Sequence, residues 1–249
     1  MPHLAMTVPS ARIDAFKLPP GRVLAGKYVV VEALGAGWEG EVYKVVETRT
    51  EVHRAVKLFY PHRNDRDRAV TFYAKKLERL RNCSIVIQYV HTETIRTRGV
   101  PVTCLVSEYV DGEILRNFVA RQRGKRLVPF EALHLIYALA CGLEEIHRVK
   151  EYHGDLHDGN VIVNRRGISF DVKLLDFYHW GAPTRAHIRD DVADLVRLLY
   201  DAVGGQRAYA SQPPEIKQLC RGLRRDLIGQ TFPTAHHLRS FLETFPWNP

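Results

Sequence analysis

From Tyr28 to Val46, runs of valine, tyrosine and leucine are interrupted by glycines, and a similar run, Val52 to Tyr60, follows the polar stretch Glu47 to Glu51. Apolar runs bounded by turn residues read as strands, so this pattern predicts three antiparallel strands. Between Asp65 and Arg81, residues Ala69, Tyr73, Leu77 and Leu80 recur at spacings of 4, 4 and 3, the single apolar stripe of a helix. Ile85 to Tyr89 and Val102 to Tyr109 read as two more strands, the second ending at the Asp111-Gly112 turn signal. Beyond that turn the period becomes helical. Leu115 to Arg123 is one helix, and Phe130 to His147 is another, apolar around most of its circumference as a buried central helix would be. A strand-rich half followed by a helix-rich half predicts an α+β chain of two lobes joined near Glu108 to Asp111, with a cleft between them. Residues 1–22, with Pro2, Pro9, Pro19, Pro20 and Gly21, read as a loose lead-in, leaving 23–110 and 111–249 as the two lobes.

Composition agrees with a folded chain. Of 249 residues, 45% are apolar and 26% charged, enough to bury a core and incompatible with a disordered tail. Cys83, Cys104, Cys141 and Cys220 form no C-x-x-C pair, so reduced thiols are expected rather than a zinc knuckle or a disulfide framework. The longest near-apolar stretch, Ala132 to Leu143, falls short of the ~20 residues that span a bilayer, and Pro2, Pro9, Arg12 and Asp14 break any signal-peptide core. The expected location is the cytoplasm, without membrane contact. The net charge of +8 comes with no RNA-binding or zinc-finger signature, so nucleic acid is not the expected partner. Basic clusters at Arg121, Arg123, Lys125 and Arg126, and at Arg221, Arg224 and Arg225, would suit an acidic or phosphorylated partner, or are simply solvated helix ends and loops.

Three clusters carry chemistry. Gly35-Ala36-Gly37-Trp38-Glu39-Gly40-Glu41-Val42 fits G-x-G-x-x-G-x-V, and Lys57, on the next strand, follows Gly40 by 17 residues. A turn without Cβ atoms can close over phosphates that a neighbouring lysine neutralises. His153-Gly154-Asp155-Leu156-His157-Asp158-Gly159-Asn160 follows the central helix, and the five-residue spacing of Asp155 and Asn160 lets a carboxylate face an attacking hydroxyl while an amide oxygen ligates a phosphate-bound metal. Lys173-Leu174-Leu175-Asp176-Phe177-Tyr178 puts another carboxylate at a strand end, where it could hold Mg²⁺, an ion that favours one or two carboxylates plus phosphate oxygens.

With these clusters in one order, the chain resembles the protein-kinase-like superfamily from about Val23 to Leu242, in the manner of a small bacterial-type serine/threonine kinase or a related phosphotransferase. Asp191 to Tyr200 is similar to the family's buried helix after the activation segment, and Phe232-Pro233-Thr234-Ala235 to its last turn. The resemblance implies a bilobal fold: a small antiparallel sheet with one helix, then a mainly helical lobe. It implies ATP and Mg²⁺ as cofactors, Lys57 on the α/β-phosphates, and Val42 and Ala55 at the adenine. It also implies Glu108 and Val110 on the hinge, Ser107 just before it, Asp155 as catalytic base, and Asn160 and Asp176 as metal ligands. Asp191 would brace the catalytic loop or, alternatively, serve as a helix-N-terminal carboxylate.

Four departures qualify the likeness. Tyr73 stands where the family's helix glutamate should orient Lys57, and Glu78, the nearest acid, lies opposite the apolar stripe as a surface residue. Gly154 replaces the arginine that answers a phosphorylated activation segment. His157 replaces a lysine, giving an H-G-D-L-H-x-G-N form similar to that of aminoglycoside, choline and sugar kinases. Only 15 residues separate Asp176 from Asp191, with no A-P-E tripeptide, and Phe232 stands where its arginine partner would be. The sequence therefore points to a protein serine/threonine kinase with a shortened activation segment. A small-molecule kinase and a nucleotide-binding pseudokinase are the alternatives.

Overall fold

The computed structural model describes residues 12–167, 169–178, 181–244 and 246. These divide into two compact units, the first reaching to Arg79 and resuming over Gln88–Tyr109, the second comprising Leu80–Ile87 and the chain from Val110 onward.

The first unit is a six-stranded antiparallel sheet made of β1 (Val23–Leu24), β2 (Tyr28–Ala36), β3 (Gly40–Glu47), β4 (His53–Phe59), β5 (Tyr89–Thr97) and β6 (Val100–Glu108), in the order β1-β2-β3-β4-β6-β5. Period-two alternation sets its faces. Tyr43, Val45, Val56, Leu58, Cys104 and Val106 fall on one face and form a buried core. The register pairs Val42 with Lys57, Lys57 with Leu105, and Ala55 with Ser107, so Val42, Ala55, Lys57, Leu105 and Ser107 share the other face. Helix α1 (Arg68–Arg79) packs on β5 and β6 with Val70, Tyr73, Lys76 and Leu77 buried. It starts three residues later than the periodicity predicts, because Arg66 and Asp67 hold positive φ and Asn64 Oδ1 accepts the Val70 N–H at 3.2 Å.

Two expectations are corrected here. The chain before Val23 is not loose from residue 12 onward: Ile13 and Phe16 are buried in the sheet's core, and Phe16 stacks on Tyr60 with ring centroids 5.3 Å apart. The Glu41 carboxylate accepts the backbone N–H groups of Phe16 at 2.7 Å and Lys17 at 3.2 Å, together with the hydroxyls of Tyr43 and Tyr60. Burial pushes this carboxyl upward, but Tyr43 and the two N–H donors outweigh it and hold the pKa below the ordinary glutamate value. The rest of the lead-in, residues 1–11, lies outside the described residues. Second, of the expected strand Ile85–Tyr89 only Tyr89 is extended into one, as the first residue of β5, and Leu80–Ile87 groups with the second unit rather than with 23–110. Ile85 fills the notch left by Gly142, whose Cβ would collide with it, and its carbonyl accepts the Leu174 N–H at 2.7 Å.

The second unit begins with the short strand β7 (Glu113–Ile114) and helices α2 (Leu115–Ala120) and α3 (Pro129–Arg148). Leu135, Ile136, Leu139, Leu143 and Ile146 of α3 are wholly buried, as its all-round apolarity predicts. The antiparallel strands β8 (Val161–Arg166) and β9 (Ser169–Leu174) complete a three-stranded sheet with β7. Helices α4 (Arg185–Ala202), α5 (Gly205–Ala208), α6 (Pro214–Cys220), α7 (Arg225–Thr231) and α8 (Ala235–Thr244) follow, with α3 packed on α4 and α8.

Candidate active site

The glycine turn joins β2 to β3, and its three glycines differ in what they require. A Cβ at Gly35 or Gly37 would meet nothing within 4 Å, whereas one at Gly40 would overlap the Leu58 carbonyl of β4. Gly40 is thus needed for strand approach, and the open space lies at Gly35 and Gly37. The turn is closed by Gly37 N–H donating to the Gly40 carbonyl at 2.9 Å, with Trp38 exposed at its tip and its ring 4.2 Å from the Arg63 guanidinium.

Lys57 Nζ donates to Glu39 Oε2 at 2.9 Å and lies 4.3 Å from the centroid of the Tyr73 ring. Within the first unit, then, the lysine's carboxylate comes from the glycine turn, and α1 contributes an aromatic face where the resemblance leads one to expect an acid. Glu78 is exposed, as its angle on the helix predicts. Glu39 is the residue that sequence reasoning missed. It sits at an unassigned x position of the glycine pattern, and nothing in the spacing shows how far the turn folds over β4. Ser107 is buried, and Glu108 pairs with Gln88 through its own N–H, 2.9 Å from the Gln88 carbonyl, and through its carboxylate, 3.0 Å from the Gln88 N–H.

The second unit holds Asp155, Asn160 and Asp176 on one hydrogen-bonded framework. Asp191, fully buried on α4, accepts the His153 N–H on Oδ2 at 2.7 Å and the Gly154 N–H on Oδ1 at 2.8 Å. His147 Nε2 lies 3.0 Å from the same carboxylate. Asp191 is the seventh residue of α4, too deep for a helix-end role, and it braces the loop. Burial would raise its pKa, but His147, the neighbouring His153 and the Gly154 N–H together hold it below the ordinary aspartate value.

The fully buried His153 ring accepts the Asp155 N–H on Nδ1 at 3.2 Å and lies 2.9 Å from the Leu175 carbonyl through Nε2, which fixes the proton on Nε2. That ring also packs on Phe177 with centroids 4.6 Å apart. Asn160 Nδ2 donates to the Asp155 carbonyl at 2.9 Å and to its Oδ2 at 3.3 Å, and the Asn160 carbonyl accepts the Leu175 N–H at 2.9 Å. The Leu175 bond ties the chain just before Asp176 to the backbone of Asn160, and these bonds use the amide nitrogen of Asn160 rather than its amide oxygen. Asp176 is exposed at φ 50°, a left-handed conformation that aspartate tolerates better than most residues. The Asp155 side chain is 52% exposed, open to an incoming group.

His157 shapes its own loop, since its Nδ1 accepts the Gly159 N–H at 3.0 Å and its Nε2 lies 3.7 Å from Asp155 Oδ2. In the segment before α4, Tyr152 donates to the Gly181 carbonyl at 2.9 Å, and Thr184 caps α4 by accepting the His187 N–H at 3.3 Å. Phe232 is buried where the resemblance expects an arginine. Among the described residues no group of three or more histidine, cysteine or acidic side chains is arranged to hold a metal, and no helix is long and apolar enough to cross a membrane.

The family model for the protein kinase domain matches residues 28–202, and the chain belongs to that family. A Streptomyces coelicolor protein named as a probable serine/threonine-protein kinase is 32% identical over 162 residues, covering 63% of this chain and 23% of its own length. The Corynebacterium glutamicum serine/threonine-protein kinase PknA is 25% identical over 158 residues, covering 62% of this chain and 33% of its own. The chain thus spans a third or less of these two curated relatives. The crystal structure of the Mycobacterium tuberculosis PknI kinase domain superimposes with a TM-score of 0.63 at 20% identity, covering 91% of this chain and 98% of that one, a likeness of fold.

Proposed function

We propose that this chain transfers the γ-phosphoryl group of Mg-ATP to a serine or threonine hydroxyl of a protein. The observation that supports this most directly is the exposed Asp155 carboxylate, held on a loop whose preceding two N–H groups are fixed by Asp191 and whose side chain is bonded to Asn160. In this reading Asp155 orients the acceptor hydroxyl and accepts its proton. Lys57 and the open turn at Gly35 and Gly37 bind phosphate oxygens, with Glu39 holding the ammonium until they arrive. Val42, Ala55, Glu108 and Val110 would receive the adenine. Asn160 Oδ1 and the Asp176 carboxylate would hold Mg²⁺, which when bound neutralises charge on the β- and γ-phosphates; two oxygen donors beside phosphate suit that ion.

His157, whose form suggests a small-molecule kinase, is used here to hold the turn at Gly159, so it gives that alternative little support. The test is thermal melting with ATP in Mg²⁺ and in chelator, followed by transfer from labelled ATP to protein and metabolite fractions. The melting temperature should rise more with Mg²⁺, by mass action on the folded state, and Asp176→Ala should remove that increment. Label on the metabolite fraction alone would establish the small-molecule reading, and Mg²⁺-dependent stabilisation without turnover would establish the pseudokinase.

A further inference from the structure

Next to the catalytic loop, the second unit contains a cavity of about 230 Å³. Leu115, Val119, Leu198 and Ala202 give it apolar walls, and Arg116, Asp158 and Lys125 are its polar neighbours. Asp158 ties it to the loop that carries Asp155: Arg116 donates to Asp158 Oδ1 through Nη2 at 2.7 Å and Nε at 3.0 Å, and its N–H donates to the Asp158 carbonyl at 3.0 Å.

Size and charge narrow the occupant. The volume is below the ~300–1,000 Å³ typical of pockets for cofactors and metabolites, and suits one large apolar side chain. The acids at the cavity are already neutralised, Asp158 by Arg116 and Asp201 by Arg197 at 2.9 Å. Residues 115–130 carry five arginines and lysines and no acid. Arg121 is answered by Glu113, but Arg123, Lys125 and Arg126 are exposed and make no ion pair among the described residues. The stem of Arg126 packs over Gly204 at the end of α4, which anchors this basic loop beside the cavity. What surrounds the apolar hole is unmatched positive charge.

We propose that this cavity docks the acceptor protein, taking one aliphatic or aromatic side chain from a segment rich in aspartate and glutamate. The proposal rests on the reading that the acceptor is a protein, and it supplies an anchoring surface to a chain whose activation segment is short.

The experiment is fluorescence anisotropy with a short labelled peptide holding one leucine among glutamates. A lysine-flanked counterpart and a version with serine in place of the leucine are the controls. Wild type should bind the acidic leucine peptide at least roughly tenfold more tightly than either control, with affinity falling as salt rises. Ala120→Trp, at an exposed position lining the cavity, and Arg123→Glu with Lys125→Glu should each weaken binding by about tenfold. Melting temperature and the Mg-ATP increment should stay at wild-type values, which separates this site from the nucleotide chemistry. Equal binding of acidic and basic peptides, no binding of either, or indifference to Ala120→Trp would overturn the docking site. Docking as expected without phosphoryl transfer to any protein would overturn the proposed function and leave the docking site standing.

Discussion

The His153–Asn160 loop of the second unit and the glycine turn of the first are built to different standards of rigidity. In the loop from His153 to Asn160, the N–H groups of His153, Gly154, Asp155, Gly159 and Asn160 all have partners at 3.2 Å or less, and a buried carboxylate anchors its start. The glycine turn has one backbone bond across its tip and empty space around Gly35 and Gly37. A group that must meet a hydroxyl in one geometry gains when it is ordered in advance. A turn that must accept and release phosphates gains when it is free to move.

The largest effect should come from the ordered part. Asp155→Asn keeps the loop's shape and should lower turnover by ~10²–10⁴ while leaving the Mg-ATP thermal shift in place. Undiminished turnover would point to Asp158 as the base. Asp191→Ala strips three partners from a buried site and should cost ~3–5 kcal/mol in urea unfolding, in line with breaking other buried ionic networks. A linked pH effect follows from the lowered Asp191 pKa. The stability it confers is present above about 3.9, the unfolded value, and is lost as pH falls through the lower folded value. Asp191→Asn should flatten that part of the acid-unfolding curve, and an unchanged acid limb would show that the brace is not ionic.

The glycine turn offers the sharper contrast. Gly40→Ala should destabilise by ~1–3 kcal/mol through collision with Leu58. Gly35→Ala and Gly37→Ala should leave stability within ~0.5 kcal/mol and change only the affinity for ATP, read by titration calorimetry. Equal destabilisation at all three would mean that the turn is as constrained as the catalytic loop. No effect on turnover is expected from Thr184→Ala, which removes the α4 cap. It should cost ~1 kcal/mol of stability, read by urea unfolding, and leave turnover at the wild-type value.

Most of this architecture was legible where one physical signal dominated. The β2 to β4 strands, the central helix α3 and the Asp155 and Asp176 clusters follow from periodicity and motif order. What escaped depends on approach in space. Ile85-Val86-Ile87 is apolar enough to read as a strand, but its register is set by a notch at Gly142, 57 residues away. Glu39 became the partner of Lys57 because the turn folds back over β4. The segment with Ile13 and Phe16 looked loose because prolines dominate its composition, while the carboxylate that secures it, Glu41, is hidden in a glycine motif that invites a different interpretation.

That last attachment bears on how this chain tolerates change. Glu41 binds main-chain N–H groups at residues 16 and 17, so the bond does not read the side chain at 17, where the left-handed φ of 50° is the constraint and disfavours β-branched residues. Proline fails twice there, because it would delete a donor and its ring fixes φ near about −65°. Trimming to Val23, where the first strand begins, would keep every strand and still be a mistake: it would strip a buried anion of both its amide donors one residue from the glycine turn. The segment with Ile13 and Phe16 belongs to the working domain although it contains no strand or helix.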